Sequence, residues 1–315
     1  MKFLITAGVA WTHSNRLAVI MYIEDGIPGS SDDRLRELEE HLESVVEARH
    51  VADERRGVRL TTNPTHTERR LHQMLCSDFD YEPCHGCTRG DVEHKRNCLG
   101  IHVMIEPMHD RGYLMVNIRS KDRPKLLFDT ICALADADYG VFHASITSSD
   151  AIAEQEYYIK PKKMTCEEVG EKGRARLAQC LIAAIERRLA GGVRLDVEAD
   201  DRIGLLANVT RAMRENGMSM TRAEFGRQGG RAVGCFYVVD SSEPEVDVSP
   251  RAIDVVTKEI RNSVVKVNGS PEWSPRSSGK EDEGSEREKE KAQMSLAALI
   301  WSHFERLSVN LGLLR

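Results

Sequence analysis

Apolar and polar residues alternate along Val193-Arg-Leu-Asp-Val-Glu198, where Val193, Leu195 and Val197 are interleaved with Arg194, Asp196 and Glu198. A period of two sends successive side chains to opposite faces of an extended chain, so the segment reads as a half-buried strand. Tyr113–Ile118 reads in the same way. Beyond each strand the spacing lengthens to that of a helix: Leu127, Ile131 and Leu134 in one stretch, Leu206, Val209 and Met213 in the other. Two extended runs follow each helix, His143–Ser148 with Gln155–Ile159 and Thr221–Gly226 with Val233–Val239, the second pair joined by the turn-forming Arg227-Gln-Gly-Gly230. A second amphipathic helix closes each stretch, over Arg174–Leu189 and Ser249–Val264, and Val264–Val267 adds a final strand. The pattern predicts an α+β protein of β-α-β-β-α units, in which two helices on one face of an antiparallel sheet bury both apolar surfaces.

The same phrase opens the first helix of both units. Asp122-Arg-Pro-Lys-Leu-Leu127 returns as Asp201-Arg-Ile-Gly-Leu-Leu206 after an interval of 79 residues, and at that offset Ala144 falls on Ala223 without a gap. A fixed period marks tandem copies of one supersecondary unit. A third, partial copy is legible at the start of the chain: Ala10 aligns with Ala144 and Ala223, Leu17–Glu24 supplies the next strand, and Asp32–Arg49 the second helix. Its first strand and first helix are not found, and an orphaned half-sheet would expose an edge, so a longer parent protein is expected. Only one strand, Val193–Glu198, separates the helix closing one full unit from the helix opening the next. The sheets of Tyr113–Leu189 and Val193–Val267 are therefore expected to join or to exchange a strand.

The domain map that results assigns 1–50 to the incomplete unit, 51–110 to a linker with a docking helix and a cysteine-rich loop, and 111–190 and 191–268 to full units. After residue 268 the composition changes. Gly, Ser and Pro give way to Lys280–Lys291, with ten charged residues in twelve, so 269–292 is expected to be a disordered charged spacer. Leu296, Leu299, Ile300, Phe304 and Leu307 then form a helical stripe, assigned to a C-terminal amphipathic helix over 293–315. A net charge of −6 gives no global attraction for nucleic acid, and no apolar run is long enough to span a bilayer. Eight cysteines without a secretory signal point to reduced thiols, hence to the cytoplasm or nucleus.

Cys84, Cys87, His94 and Cys98 have spacing compatible with a tetrahedral zinc site. They lie in a polar linker, and the preferred reading is free thiols with no metal or cofactor. His66, His72 and Cys76 belong to the linker's docking helix. No phosphate loop, metalloprotease helix or nucleophile elbow is present, which argues against an enzyme. The helix-opening phrases carry the remaining chemistry. A helix N-terminus offers unpaired N–H groups and a partial positive charge, suited to a carboxylate, while Asp122 or Asp201 can cap that helix or meet an ammonium group. Pro124 suits a first helical turn, and Gly204 permits close backbone approach. Lys125 stands where the later copy has Gly204, which ranks the later loop first. The candidate ligand residues are Asp201, Arg202, Gly204 and Leu205, with Asp122, Arg123 and Lys125 in the earlier copy.

A wider set of phrases identifies a family. Thr67-Glu-Arg-Arg-Leu-His-Gln-Met74, Asp78-Phe-Asp-Tyr81, Lys121–Thr130, Gln155-Glu-Tyr-Tyr158, Ala184-Ile-Glu-Arg-Arg188, Thr221-Arg-Ala-Glu224 and Phe236-Tyr-Val238 resemble the plant ACT domain repeat proteins. Those proteins are similar to the regulatory region of the bacterial uridylyltransferase nitrogen sensor, without its catalytic part. The resemblance implies tandem ferredoxin-like βαββαβ units and a non-catalytic regulator that binds a free amino acid, with glutamine a candidate, near the contact between two units. It also implies protein partners or a homo-oligomer. The competing functions are a protein–protein interaction module without a ligand and a zinc-binding linker protein.

Overall fold

The computed structural model describes residues 4–14, 16–24, 32–47, 66–82, 100–189, 191–243, 248–260 and 263–268. Cys84, Cys87, His94 and Cys98, the charged spacer and the C-terminal stripe lie outside the described residues. Among those described, ten strands and six α-helices follow one another as β1 (Leu4–His13), β2 (Arg16–Glu24), α1 (Asp32–Glu47), α2 (Thr67–Ser77), β3 (His102–Met108), β4 (Tyr113–Lys121), α3 (Leu126–Asp136), β5 (Tyr139–Ser149), β6 (Ile152–Pro161), α4 (Cys166–Glu186), β7 (Val193–Asp200), α5 (Leu205–Glu215), β8 (Met218–Gln228), β9 (Arg231–Asp240), α6 (Pro250–Glu259) and β10 (Ser263–Asn268). The protein is α+β, with two antiparallel sheets.

One sheet has four strands in the order β3-β4-β6-β5, and the other six, in the order β10-β7-β9-β8-β1-β2. The expected joining of the two later sheets is not seen. The edge of the later unit is closed from downstream by β10 on β7, while the same place in the earlier unit is closed from upstream by β3 on β4. Sequence pattern alone places His102–Met108 in the linker, because Pro107 and the polar His102 and Glu106 dilute its alternation. A short turn over His109–Arg111 sends it straight back into β4. No strand needs to be shared.

The six-stranded sheet arises because the partial unit at the start adds its hairpin to β8. Ala10 is the direct partner of Ala223, the two alanines that the repeat makes equivalent, and the pairing runs from Ala7 opposite Gly226 to Trp11 opposite Arg222. Equivalent strands therefore meet antiparallel about an approximate two-fold axis. Fit is close at this seam: a β-carbon on Gly8 would lie 2.3 Å from the Phe225 ring.

Alternation along β1 divides two cores. Ala10 packs with Ala223, Phe236, Val238 and the apolar faces of α5 and α6, whereas Val9 and Trp11 pack on the other side against Leu71 and Leu75 of α2. The earlier unit has its own core, in which Leu114, Val116 and Ile118 of β4 meet Leu126 and Leu134 of α3 and Leu177, Leu181 and Ile185 of α4. Helix α6 begins at a Ser249 cap whose hydroxyl accepts from Ala252 N, with Pro250 in the first turn. It stops at Glu259, short of the expected Val264, because residues 263–268 are drawn into the ladder with β7.

Candidate functional site

Both helix-opening phrases adopt one backbone. The residue before the helix is left-handed in each, Lys125 with φ 64° and Gly204 with φ 81°. Leu126 N donates to Arg123 O at 3.3 Å, and Leu205 N donates to Arg202 O at 3.1 Å. Lys125 thus keeps the loop's shape, with its ammonium 2.9 Å from Glu68 Oε2. Pro124 lies ahead of the helix rather than in its first turn, since this reversal comes between them.

Neither aspartate caps its helix. Asp122 Oδ2 accepts from Ser148 Oγ at 2.5 Å, and Asp201 Oδ2 lies 2.5 Å from Arg227 Nη2. Ser148 and Arg227 are themselves 79 residues apart, so the two loops are tied to the same place on the following strand by different chemistry. The arginines that follow diverge. Arg202 is exposed beside a largely solvated Ile203, whereas Arg123 is buried, its guanidinium on Asp129 and the carbonyl of Ile185. The structure therefore leaves Asp201, Arg202 and Gly204 at the surface, draws Arg123 into an internal ion pair, and ties the exposed Lys125 to the buried Glu68.

Just beyond the later loop, Leu206 and Thr210 of α5 face Ala10, Thr12 and Leu17 of the β1–β2 hairpin across a cavity of about 300 Å³. Its wall is apolar, for the hydroxyls of Thr12 and Thr210 are spent on the backbone carbonyls of Thr221 and Leu206.

A larger polar constellation lies where α2 enters between the two sheets. Arg188 holds both oxygens of Asp129 at 2.7 Å and Glu68 Oε1 at 2.6 Å. Arg187 likewise spans Asp80 with bonds of 2.5 and 2.6 Å. Such paired contacts use the planar fork of arginine, and all five side chains are at least nine-tenths buried. His72 Nε2 donates to Asp129 Oδ1 at 2.8 Å. Burial outweighs that carboxylate and lowers the His72 pKa, so the ring is neutral and its Nδ1 faces Arg187. His13, reaching in from β1, behaves oppositely: burial alone would lower its pKa, but bonds to Asp80 at 2.8 Å and Glu186 at 3.2 Å raise it. Burial works against the Asp80 carboxylate, but Arg187 and His13 overcome it and bring its pKa down to about 2.

Trp11 extends this cluster across the seam. Its ring, fully buried, has the guanidinium groups of Arg188 at 5.0 Å and Arg222 at 5.7 Å from its centre. One indole from the hairpin thus contacts both the earlier unit and the later one. Nearby, the Cys180 thiol stabilises the thiolate of Cys76 by a hydrogen bond, with Arg187 adding attraction, so the Cys76 pKa is lowered. Sequence reasoning singled out Arg187, Arg188, Glu68 and Asp80 only as parts of the phrases that carry the family resemblance. Their partners lie 57 to 120 residues away, a separation at which local patterning is blind.

No protein-family model matches the chain. Among curated proteins of Arabidopsis thaliana, it is 40% identical over 325 residues to the ACT domain-containing protein ACR1, covering 98% of this chain and 66% of that one. It is 37% identical to the ACT domain-containing protein ACR4, over 86% of this chain and 60% of the relative. For the ACT domain-containing protein ACR8 the identity is 35%, over 97% and 66%. The chain thus spans just under two thirds of the length of these relatives. The phrases that signalled the resemblance supply Glu68, His72, Asp80, Arg123, Asp129, Arg187, Arg188 and Arg222, the residues that meet around α2 and Trp11.

Proposed function

Because the chain belongs to the plant family of ACT domain repeat proteins, we propose that it is a non-catalytic regulator whose later unit binds a free amino acid and reports nitrogen or amino-acid status in the cytoplasm or nucleus. The observation that carries this reading is the coincidence of a helix-opening loop with a seam between equivalent strands: Leu206, next to the Asp201–Leu205 turn, lines the cavity that Ala10 and Thr12 border from the other side. A zwitterion needs an acceptor for its ammonium and a donor for its carboxylate. Asp201 and Arg227 offer both, already held 2.5 Å apart and both partly exposed. An amino acid can insert between them, giving its ammonium to Asp201 and its carboxylate to Arg227 and the N–H groups opening α5.

A ligand shifts such a protein only by binding two arrangements unequally, and a ligand that touches both sides of a seam does so. The Trp11 contact with Arg188 and Arg222 supplies a physical route from the seam to the earlier unit.

Calorimetry with the twenty amino acids tests the reading. At least one is expected to bind. Asp201→Ala and Asp201→Asn should then weaken it by roughly tenfold or more, since a charge-assisted contact contributes about 1.5–3 kcal/mol. If both variants fold normally and bind as tightly as the parent, the loop is not the site. If the parent binds none, the chain is an interaction module without a ligand.

A further inference from the structure

Two thiols meet where the end of α2 lies against α4, and neither takes part in the amino-acid loop. Arg176, Cys180 and Arg187 follow one another at intervals of four and seven residues, so they share one face of α4 and its end. That face meets the chain that leaves α2. Arg176 Nη2 donates to the Tyr81 hydroxyl at 2.7 Å with its guanidinium over the Tyr81 ring, and Arg187 spans Asp80. These two ties stand on either side of Cys180 along α4 and bring Cys76, four residues ahead of Asp80, up to it.

The contact is specific. The Cys180 thiol donates to the Cys76 sulfur, and the Arg187 guanidinium bonds the same sulfur; Asp80 opposes a thiolate there, but Arg187 and His13 already hold its charge. Both cysteines are partly exposed. The three other described cysteines are placed differently: Cys132 and Cys235 are buried, and the Cys166 thiol donates to the carbonyl of Gly112. An accessible thiol beside a cation and a hydrogen-bond donor is the kind that oxidises first, and a second thiol in contact with it can resolve the product.

We propose that Cys76 and Cys180 are an oxidisable pair, in which a hydroperoxide converts Cys76 to a sulfenic acid and Cys180 closes it to a disulfide. The Cys76 thiolate attacks one peroxide oxygen, the O–O bond breaks, and the departing hydroxide takes a proton to become water. Cys180 gives up its proton and attacks the Cys76 sulfur, the S–O bond breaks, and a second water leaves. Two thiols and one hydrogen peroxide thus give one disulfide and two waters. The bond pins the end of α2 to α4. Because Leu71 and Leu75 of α2 pack with Val9 and Trp11 of β1, oxidation also ties the first hairpin to the earlier unit. Thiol reductants of a reducing compartment reverse it, so the modification is transient there.

Treating the full chain with hydrogen peroxide and mapping its peptides by mass spectrometry should give a Cys76–Cys180 cross-link as the main product, reversed by dithiothreitol. In urea the preference should vanish, because only the fold brings together residues 104 positions apart. Before oxidation, iodoacetamide at neutral pH should label Cys76 at least about threefold faster than Cys166, since its larger thiolate fraction outweighs the weaker nucleophilicity of each thiolate. Two variants separate the roles of Cys180. Cys180→Ser keeps a donor to the Cys76 sulfur but removes the resolving thiol, so dimedone should trap a sulfenic acid on Cys76. Cys180→Ala removes both, and labelling of Cys76 should slow severalfold. Cross-links that join Cys76 to another cysteine overturn the proposal, as does the absence of any cross-link, or labelling of Cys76 no faster than of Cys166.

Discussion

Asp201 Oδ2 lies 2.5 Å from Arg227 Nη2, and the repeat-equivalent Asp122 accepts a 2.5 Å hydrogen bond from Ser148. The tie between helix-opening loop and strand end has outlasted a change of partner from hydroxyl to guanidinium. Geometry is common to both units, and an ion pair at this tie belongs to the later one alone.

That contrast predicts a small effect on stability. Arg227 and Asp201 side chains are 33% and 29% exposed, and pairs so open to water contribute at most about 1 kcal/mol. Arg227→Ser, which copies the earlier unit, should shift the thermal midpoint by a few degrees at most. A calorimetric scan that shows a large drop would mean that Arg227 has a structural task beyond this pair.

The buried junction should be far less forgiving. Removing Arg188 leaves Asp129 and Glu68 without their main counter-charge in a dry setting, and breaking such a network costs about 3–5 kcal/mol. Arg188→Ala is expected to lower the urea midpoint strongly. Arg188→Lys should fall between, because it restores charge without the two-pronged geometry.

The pH dependence has two limbs. Asp80 titrates at about 2 in the folded chain, below its unfolded value of 3.8, so its stabilisation is complete above about pH 4 and is lost as pH falls toward 2. His13 is shifted upward, so its contribution is complete below the unfolded value of 6.5 and is lost as pH rises through the folded pKa. Melting temperature against pH should show both declines; His13→Gln should abolish the alkaline one and weaken the acid one, since His13 also helps to hold the Asp80 pKa down.

Gly204 gives a backbone test. Its φ is 81°, and a β-carbon there would have no other atom within 4 Å, so alanine meets no clash, only the left-handed conformation. Gly204→Ala should cost about 1–2 kcal/mol in chemical denaturation, with the secondary-structure content unaltered. A neutral result would show that the loop relaxes freely.

The repeat was legible because its signals are local. A two-residue period marks β7, a helical period marks α5, and the Asp-Arg opening recurs at a constant interval, so the order of elements could be read from neighbours along the chain. Strand β3 was not, because its proline and acid mimic linker and its partner is chosen by the sheet edge. Nor could the junction be read. Glu68 and Asp80 are acids that patterning would place in water, yet they are 2% and 0% exposed. Arg187 and Arg188, more than a hundred residues away, make that burial tolerable, with His13 and Lys125 adding to them. Of the candidate ligand loop, the helix-opening turn was readable, whereas Arg227 was not, since the strand that carries it had first to fold back.

The upstream position of β3 bears on synthesis. Emerging from the ribosome in order, the chain has all four strands and both helices of the earlier unit once residue 186 has appeared. That unit can close its sheet before any part of β7 exists. The later unit must wait for β10, at residues 263–268, and its outer strand β8 meanwhile has β1 already made and available. The β1–β2 hairpin is thus made long before β8, the strand it joins, and the last sheet is assembled from the two ends of the described fold.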